Sequence, residues 1–421
     1  MTRKPFKNAL ILLMATTALG STSVWADELP TREEMWQIIQ LQQKQIKKLE
    51  AAVGLQKTEI ETAHMKIEAT GDALEEITTS PGNIQTENNQ AQAVGQTKVG
   101  GYAELHYNGG KADEVDLHRF VLFLGHQFTD KIRFFSELEV EHSITGGGNV
   151  GKVEMEQAFV EFDLNGSIKA AAGLQLVPVG ILNEIHEPPT FYGVERNNVE
   201  KNILPTTWRE AGISISGSLG ETISYDLMMH SGLDTTGNDY KIRSGRQNVG
   251  KAPWKSTAFT ARTKWRPLPG VELGAAFQYQ SDITQDSIED EDASATLFEI
   301  HTDIKRALGE NGTIGLRALY AQWNVNATAA ELLGRDIQRG WYIEPSYKFA
   351  LASGDLGFFA RYSEWDNEAG DQIQSDFKQT SFGINYWPHE QVVLKFDYQI
   401  DNFANESKED NRVNLGVGLY F

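Results

Sequence analysis

From about residue 98 onward apolar and polar residues alternate in stretch after stretch, and the last stretch shows the rule most plainly. There Val413, Leu415, Val417, Leu419 and Phe421 share one face, while Arg412, Asn414, Gly416 and Tyr420 share the other. A strand turns successive side chains to opposite faces, so this period of two suits a strand with lipid on one side and water on the other. A soluble sandwich uses the same kind of strand, so one stretch does not decide between them. Repetition does. Strands long enough to cross a bilayer at a tilt are expected near 98–107, 115–128, 131–142, 150–163, 167–177, 206–217, 221–230, 256–266, 270–281, 295–306, 312–323, 338–349, 354–364, 376–387, 391–401 and 411–421.

The connections support the same count. Short turns at 129–130, 164–166, 218–220, 267–269, 308–311, 350–353 and 388–390 alternate with longer polar stretches at 108–114, 143–149, 178–205, 231–255, 282–294, 324–337, 366–375 and 402–410. Short turns on one rim and long loops on the other are the habit of bacterial outer-membrane barrels, whose strand number is even. The expected fold is all-β: a sixteen-stranded antiparallel transmembrane β-barrel over 98–421, with short turns facing the periplasm. Trp265, Trp323, Trp341, Trp365 and Trp387 all fall near expected strand ends, which reads as aromatic girdles at two membrane interfaces.

The start of the chain agrees with export. Arg3, Lys4 and Lys7 precede an apolar run from Ala9 to Leu19, and Val24-Trp25-Ala26 offers small residues for cleavage, so 1–26 reads as a signal peptide. A spanning helix needs nearly 20 apolar residues and this run has roughly half that. The sequence contains no cysteine, which excludes disulfides, thiolate metal sites and thiol nucleophiles. A formal charge of −20 argues against nucleic acid as a partner. The negative mean hydropathy of −0.40 is compatible with a barrel, because only alternate residues meet lipid.

Between signal and barrel, Ile39, Ile46, Val53, Ile60, Ile67 and Leu74 recur every seven residues, beside a weaker seam of Met35, Gln42, Leu49, Gln56, Ala63, Thr70 and Ile77. This strict period predicts a left-handed α-helical coiled coil in the periplasm over 27–78. Its strand number is open on pattern alone; three is the expectation, to match a trimeric barrel. Residues 79–97, rich in Asn, Gln, Ser, Thr and Gly, read as a flexible linker.

Sixteen strands enclose a water-filled channel rather than a packed interior. Alternation places Arg119, Arg133, Lys169, Arg262, Lys264, Arg266, Arg317, Arg361 and Lys395 on the lumen side, with Glu104, Glu137, Glu139, Glu299, Asp303, Glu344 and Asp397 facing them. Cations on one wall opposite carboxylates on another would orient dipolar solutes, and unpaired arginines would serve anions as stepping-stones. Arg262, Lys264 and Arg266 are three cations on one face of one strand, too many to be neutralised locally. The longest loop, 178–205, is too rich in proline, aromatics and charge to be slack. Folded inward it makes a constriction in which Tyr192, Glu195, Arg196, Glu200 and Lys201 sort solutes by size and charge. The six carboxylates in 282–292 suit divalent cations near lipopolysaccharide, or a solvated loop tip.

These features resemble those of trimeric porins, and in particular the phosphate-selective porin O and P family. The resemblance rests on Gly100-Gly101-Tyr102, Gly173-Leu174-Gln175, Glu187-Pro188-Pro189-Thr190-Phe191 and Pro205-Thr206-Thr207-Trp208-Arg209-Glu210-Ala211-Gly212, and covers about residues 98–421. It implies a homotrimer of sixteen-stranded barrels with the third loop folded inward. Members named for phosphate line the pore with an arginine ladder and a lysine ring, whereas this loop carries Glu184, Glu187, Glu195 and Glu200 against Arg196 and Lys201.

The expected function is an outer-membrane porin of a Gram-negative bacterium, passing small hydrophilic solutes by passive diffusion, with anionic, phosphate-like ones among the candidates. The alternative is a structural protein tethering the membrane to the cell wall through its coiled coil. An enzyme is disfavoured because histidines and carboxylates are scattered over many strands, with no Ser-His or Asp-His pair at one level. No cofactor and no metal are expected; the partners are two further copies, membrane lipid and lipopolysaccharide.

Overall fold

The computed structural model describes residues 96–287, 292–309 and 311–421. The signal peptide, the coiled coil and nearly all of the linker fall outside the described residues, and so does the tether reading that depends on them.

Sixteen strands form one closed antiparallel barrel. They are β1 (Thr97–Asn108), β2 (Glu114–Thr129), β3 (Ile132–Glu141), β4 (Lys152–Asp163), β5 (Ile168–Leu176), β6 (Arg209–Leu219), β7 (Ile223–His230) and β8 (Ala258–Leu268). The second half comprises β9 (Val271–Gln280), β10 (Ser294–Leu308), β11 (Gly312–Asn326), β12 (Ile337–Leu351), β13 (Gly354–Asp366), β14 (Phe377–His389), β15 (Val392–Phe403) and β16 (Arg412–Tyr420). Closure comes from β1 pairing with β16, Tyr102 opposite Tyr420 and Asn108 opposite Asn414. Gly101 and Phe421 exchange both backbone hydrogen bonds there, at 3.0 and 2.9 Å. A closed sheet leaves no edge carrying unpaired backbone groups, the condition for crossing a bilayer with strands.

The alternation read from the sequence is the alternation of faces. On β16 Val413, Leu415, Val417 and Leu419 are exposed on the outside while Asn414 is buried on the inside. On β15 Leu394 and Phe396 point out, and Lys395 and Asp397 point in. β6 starts at Arg209, later than the sequence suggests, because the Trp208 N–H is bound by the Asn183 side chain at 2.6 Å instead of a strand partner.

Two readings of the barrel need correction. Trp323, Trp365 and Trp387 do not belong to an outer girdle; all three are buried on the inner face, and only Trp265 and Trp341 are exposed on the outside. Position along a strand places a residue at the rim, but parity decides its face. Nor is the interior simply open. Loop residues Val177, Val179, Ile181, Val199, Ile203, Leu204, Trp208, Leu233, Ile242 and Ile283 pack with wall residues Met228, Leu297, Leu319, Trp323, Val325 and Tyr342 into one apolar core. Removing a large side chain such as Trp208 from water contributes on the order of 3 kcal/mol. This core therefore fixes the inward loops firmly against β7 to β12.

Candidate functional site

The site is built around the loop 177–208, between β5 and β6, which the structure places inside the barrel. A short helix, Asn198–Asn202, is capped by Asn197, whose side-chain oxygen accepts from the Val199 N–H at 2.7 Å. Glu200 on this helix is fully buried; it accepts from the Ile181 and Leu182 N–H groups at 2.9 and 2.6 Å and from the Tyr342 hydroxyl at 2.7 Å. Burial pushes its carboxyl above the ordinary range against the pull of those donors. Glu200 therefore folds the loop and does not meet solutes, contrary to its expected place among the sorting residues.

The tip of the loop is held by inward-facing groups on the far wall. Lys395 donates to the Gly193 carbonyl at 2.8 Å and stands 3.5 Å over the Phe191 ring. Asn385 donates to the Phe191 carbonyl at 3.1 Å, Trp387 to that of Pro189 at 3.1 Å, and Arg317 to that of Thr190 at 3.2 Å. The Val194 N–H donates to Asp397 at 2.6 Å. Trp323 donates to the Ile203 carbonyl at 2.9 Å nearer the root. Two glycines on β16 make room for this approach: a Cβ at Gly418 would lie 2.2 Å from Pro188 Cβ, and one at Gly416 would lie 3.2 Å from Val194. The stretch Pro205 to Gly212 that carries the resemblance forms the root, with Trp208 donating to Glu210 at 3.0 Å and Arg209 to Glu154 at 2.6 Å.

All nine predicted lumen cations face inward, and every one has a partner. Arg119 lies 2.7 Å from Glu104 and 3.2 Å from Glu139. Arg133 pairs with Glu161, which also takes Lys169 at 3.4 Å. Arg317 meets Asp303 at 3.1 Å and Arg361 meets Glu344 at 3.0 Å. Lys395 is spent on the loop. The expectation that Arg262, Lys264 and Arg266 outnumber their local partners is overturned. Glu184 from the loop receives Arg262 at 2.6 Å and Lys264 at 3.3 Å, Asp226 on β7 takes Arg262 at 2.6 Å, and Glu272 on β9 takes Arg266 at 2.6 Å.

The physical reason is register. Glu104 lies opposite Arg119, Asp226 opposite Arg262, and Arg317 between Asp303 and Glu344. Directly opposed side chains of opposite charge pair across the strands, so the charges interleave along one wall instead of separating onto two.

With Glu200 buried away from solvent, the other four expected loop residues are divided between two cavities. Tyr192 packs against Phe359 and Trp387, ring centroids 5.4 and 5.6 Å away, beside a cavity of about 340 Å³ that also holds Arg317, Lys348 and Asp355. Glu195, Arg196 and Lys201 line another of about 300 Å³ with Glu104, Arg119, Glu141 and Arg243. Burial opposes the charge on Glu195, but its hydrogen bond with His106 and the charges of His106 and His118 hold its carboxyl well below the ordinary range.

Three of the histidines come together at neighbouring strands. His106 stacks on His118 with centroids 4.7 Å apart, and His118 and His142 both reach Asp116, at 3.1 and 2.8 Å. Strand parity placed none of these in advance, because three of the residues sit at or near strand ends where the turn decides direction; His142 has a φ of 57°.

A second feature went unread in the sequence. Tyr102, Phe123, Phe135 and Phe159 occupy inward positions on four consecutive strands, with successive centroids 5.8, 5.9 and 5.8 Å apart. Two of these rings border a cavity of about 660 Å³ with Lys98, Arg133 and Glu161. The signal was available, since each is an aromatic residue at a parity that on these four strands is otherwise mostly polar. In the loop 281–293, Asp282 is buried and accepts from the Thr284, Asp286 and Ala293 N–H groups, so it shapes the loop and is not part of a solvated acidic tip.

Comparison with known proteins fits this geometry. No family model matches the chain. A protein of Aquifex aeolicus, described as uncharacterized, is 29% identical over 347 residues, spanning 74% of this chain and 77% of its own. Among solved structures, Salmonella typhi OmpF in complex with daunomycin superposes with a TM-score of 0.53 at 13% identity, over 78% of this chain and 98% of that one. The outer membrane channel DcaP of Acinetobacter baumannii gives 0.51 at 13%, over 80% and 100%. Pseudomonas putida OprB gives 0.51 at 9%, over 78% and 94%. These likenesses show the fold, a porin-type barrel.

Proposed function

We propose that the protein is an outer-membrane porin, a passive diffusion channel for small hydrophilic solutes with the loop 177–208 as its constriction. One observation carries the reading: a closed sixteen-stranded barrel, apolar outside and polar inside, is crossed internally by a loop tied to the opposite wall through its backbone carbonyls. A barrel serving only as an anchor has no need of such a loop. The fold likeness to an outer membrane channel supports the same reading.

The solute is small and its charge matters little. Every predicted lumen cation is neutralised by a neighbouring carboxylate or committed to the loop, so no ladder of free arginines is offered to phosphate. Descent from the phosphate-selective porin O and P family is retained as the proposed ancestry. A homotrimer in the outer membrane, in contact with lipopolysaccharide, completes the reading. Liposomes carrying the purified protein will swell in neutral sugars of low mass and stop swelling as solute size rises. Equal rates with and without protein would refute a pore. A reversal potential close to zero under a salt gradient is expected, and strong anion preference would contradict the charge-balanced lumen.

A further inference from the structure

We propose that a divalent transition-metal cation of the zinc class is held between the constriction loop and the wall by His186, Glu137 and Glu156. His186 comes from the loop, Glu137 from β3 and Glu156 from β4, and all three are almost completely buried. Their ligand atoms lie within 4.8 Å of one another.

The hydrogen bonds around the three residues leave one atom of each pointing at a common centre. His186 Nδ1 lies 3.2 Å from the Asn183 carbonyl oxygen, which can only accept, so Nδ1 carries the proton and Nε2 faces the two carboxylates. Glu137 Oε2 accepts from Gln157 at 2.6 Å and Glu156 Oε1 from Arg209 at 3.4 Å. The other oxygens, Glu137 Oε1 and Glu156 Oε2, have no hydrogen-bond donor among the described residues. His186 Nε2 lies 3.6 and 3.8 Å from them, beyond a hydrogen bond. A tetrahedral ion with bonds of about 2.0–2.2 Å holds its donors roughly 3.3–3.6 Å apart. The two separations from His186 Nε2, 3.6 and 3.8 Å, lie at and just beyond that span, nearer to donors around a shared ion than to direct hydrogen bonds.

Local strand structure points the same way. The β3–β4 register pairs Glu137 with Gln157 and Leu138 with Met155, so Glu156 is the extra residue of a β-bulge. A bulge re-aims a side chain at the cost of a ladder bond, and this one brings a second carboxylate to the inner face beside Glu137. The carbonyl bond to His186 is the outer support that metal-binding imidazoles usually have. Two carboxylates facing one another in a water-poor site are costly without an intervening positive charge. One imidazole with two carboxylates suits zinc, while calcium favours oxygen donors alone. Bound there, the ion ties the loop at His186, just before its tip, to β3 and β4, in addition to its Lys395 and Asp397 tethers on β15.

The test uses the full-length chain purified in detergent, stripped with chelator, dialysed and titrated with zinc alone, with bound metal counted by mass spectrometry. H186Q, E137Q and E156Q are expected to bind one zinc fewer per chain than the wild type, or to bind it more than about 10-fold more weakly. The H118N/H142N double variant removes the neighbouring histidine pair and is expected to keep this ion. Heat-modifiable migration on gels reports whether each variant has formed its barrel, and H186Q changes only the loop. Zinc is also expected to slow proteolytic cleavage of the loop in the wild type but not in H186Q. Equal zinc content in the wild type and folded H186Q would overturn the proposal and leave His186 as an imidazolium between two carboxylates.

Discussion

At the scale of single residues, the lumen is decided by who neutralises whom. Glu184 is the pivotal carboxylate, because it alone brings negative charge from the loop to Arg262 and Lys264. Burial works against its charge, yet Arg262 and Lys264 outweigh that cost and hold its pKa at about 2. A carboxylate depressed in this way contributes stability above its unfolded pKa, and that contribution is lost as pH falls through the folded value. The contribution of this carboxylate to ion selectivity is therefore expected to persist from neutral pH to about pH 4 and to be lost, in favour of anions, only near its folded pKa. E184Q is expected to show the anion-leaning state at neutral pH, with reversal potential in planar bilayers as the readout; a reversal potential unchanged from the wild type would show that the pair does not face the permeation path. Gly418 makes the opposite kind of contribution, by absence. Gly418→Val would drive a side chain into Pro188, and overpacking of this kind costs about 1–3 kcal/mol. A lower unfolding temperature together with an altered unit conductance is expected, and wild-type values for both would place the loop away from β16.

At the scale of elements, the strands were legible and their partners were not. All sixteen expected strands are present, most bounds within about three residues, because a lipid-facing strand must repeat its alternation over its whole crossing. Alternation also gave the inward faces of Arg119, Arg262, Arg317 and Lys395 correctly. It could not give the register that sets Arg317 between Asp303 and Glu344, or the loop carboxylate that reaches Arg262 from far along the chain. The three buried tryptophans were misplaced for a related reason: rim position was read and parity was not. Length and composition mark the loop 178–205, but its division into a tethered tip, a buried Glu200 and a root around Trp208 depends on contacts no local pattern encodes. Replacing the tip, 187–196, by a short glycine-serine linker leaves the apolar root intact. Conductance and the upper size of permeating sugars are both expected to rise, and an unchanged size limit in the swelling assay would remove the tip from the constriction.

At the scale of the whole molecule, the barrel from 96 onward closes on itself through Gly101 and Phe421. A chain lacking residues 27–95 is accordingly expected to insert, to form trimers visible by cross-linking, and to conduct like the full-length protein. Loss of conductance in a correctly inserted truncation would give the N-terminal part a role in transport and revive the tether in a stronger form. Water and ions are expected to cross past the loop through a barrel whose lumen is only partly packed. Single-channel recording of the full-length protein in a planar bilayer tests it most directly. Discrete conductance steps, closing in groups of three and growing when the loop tip is shortened, are the predicted result. A silent bilayer containing correctly inserted, heat-modifiable barrels would contradict it.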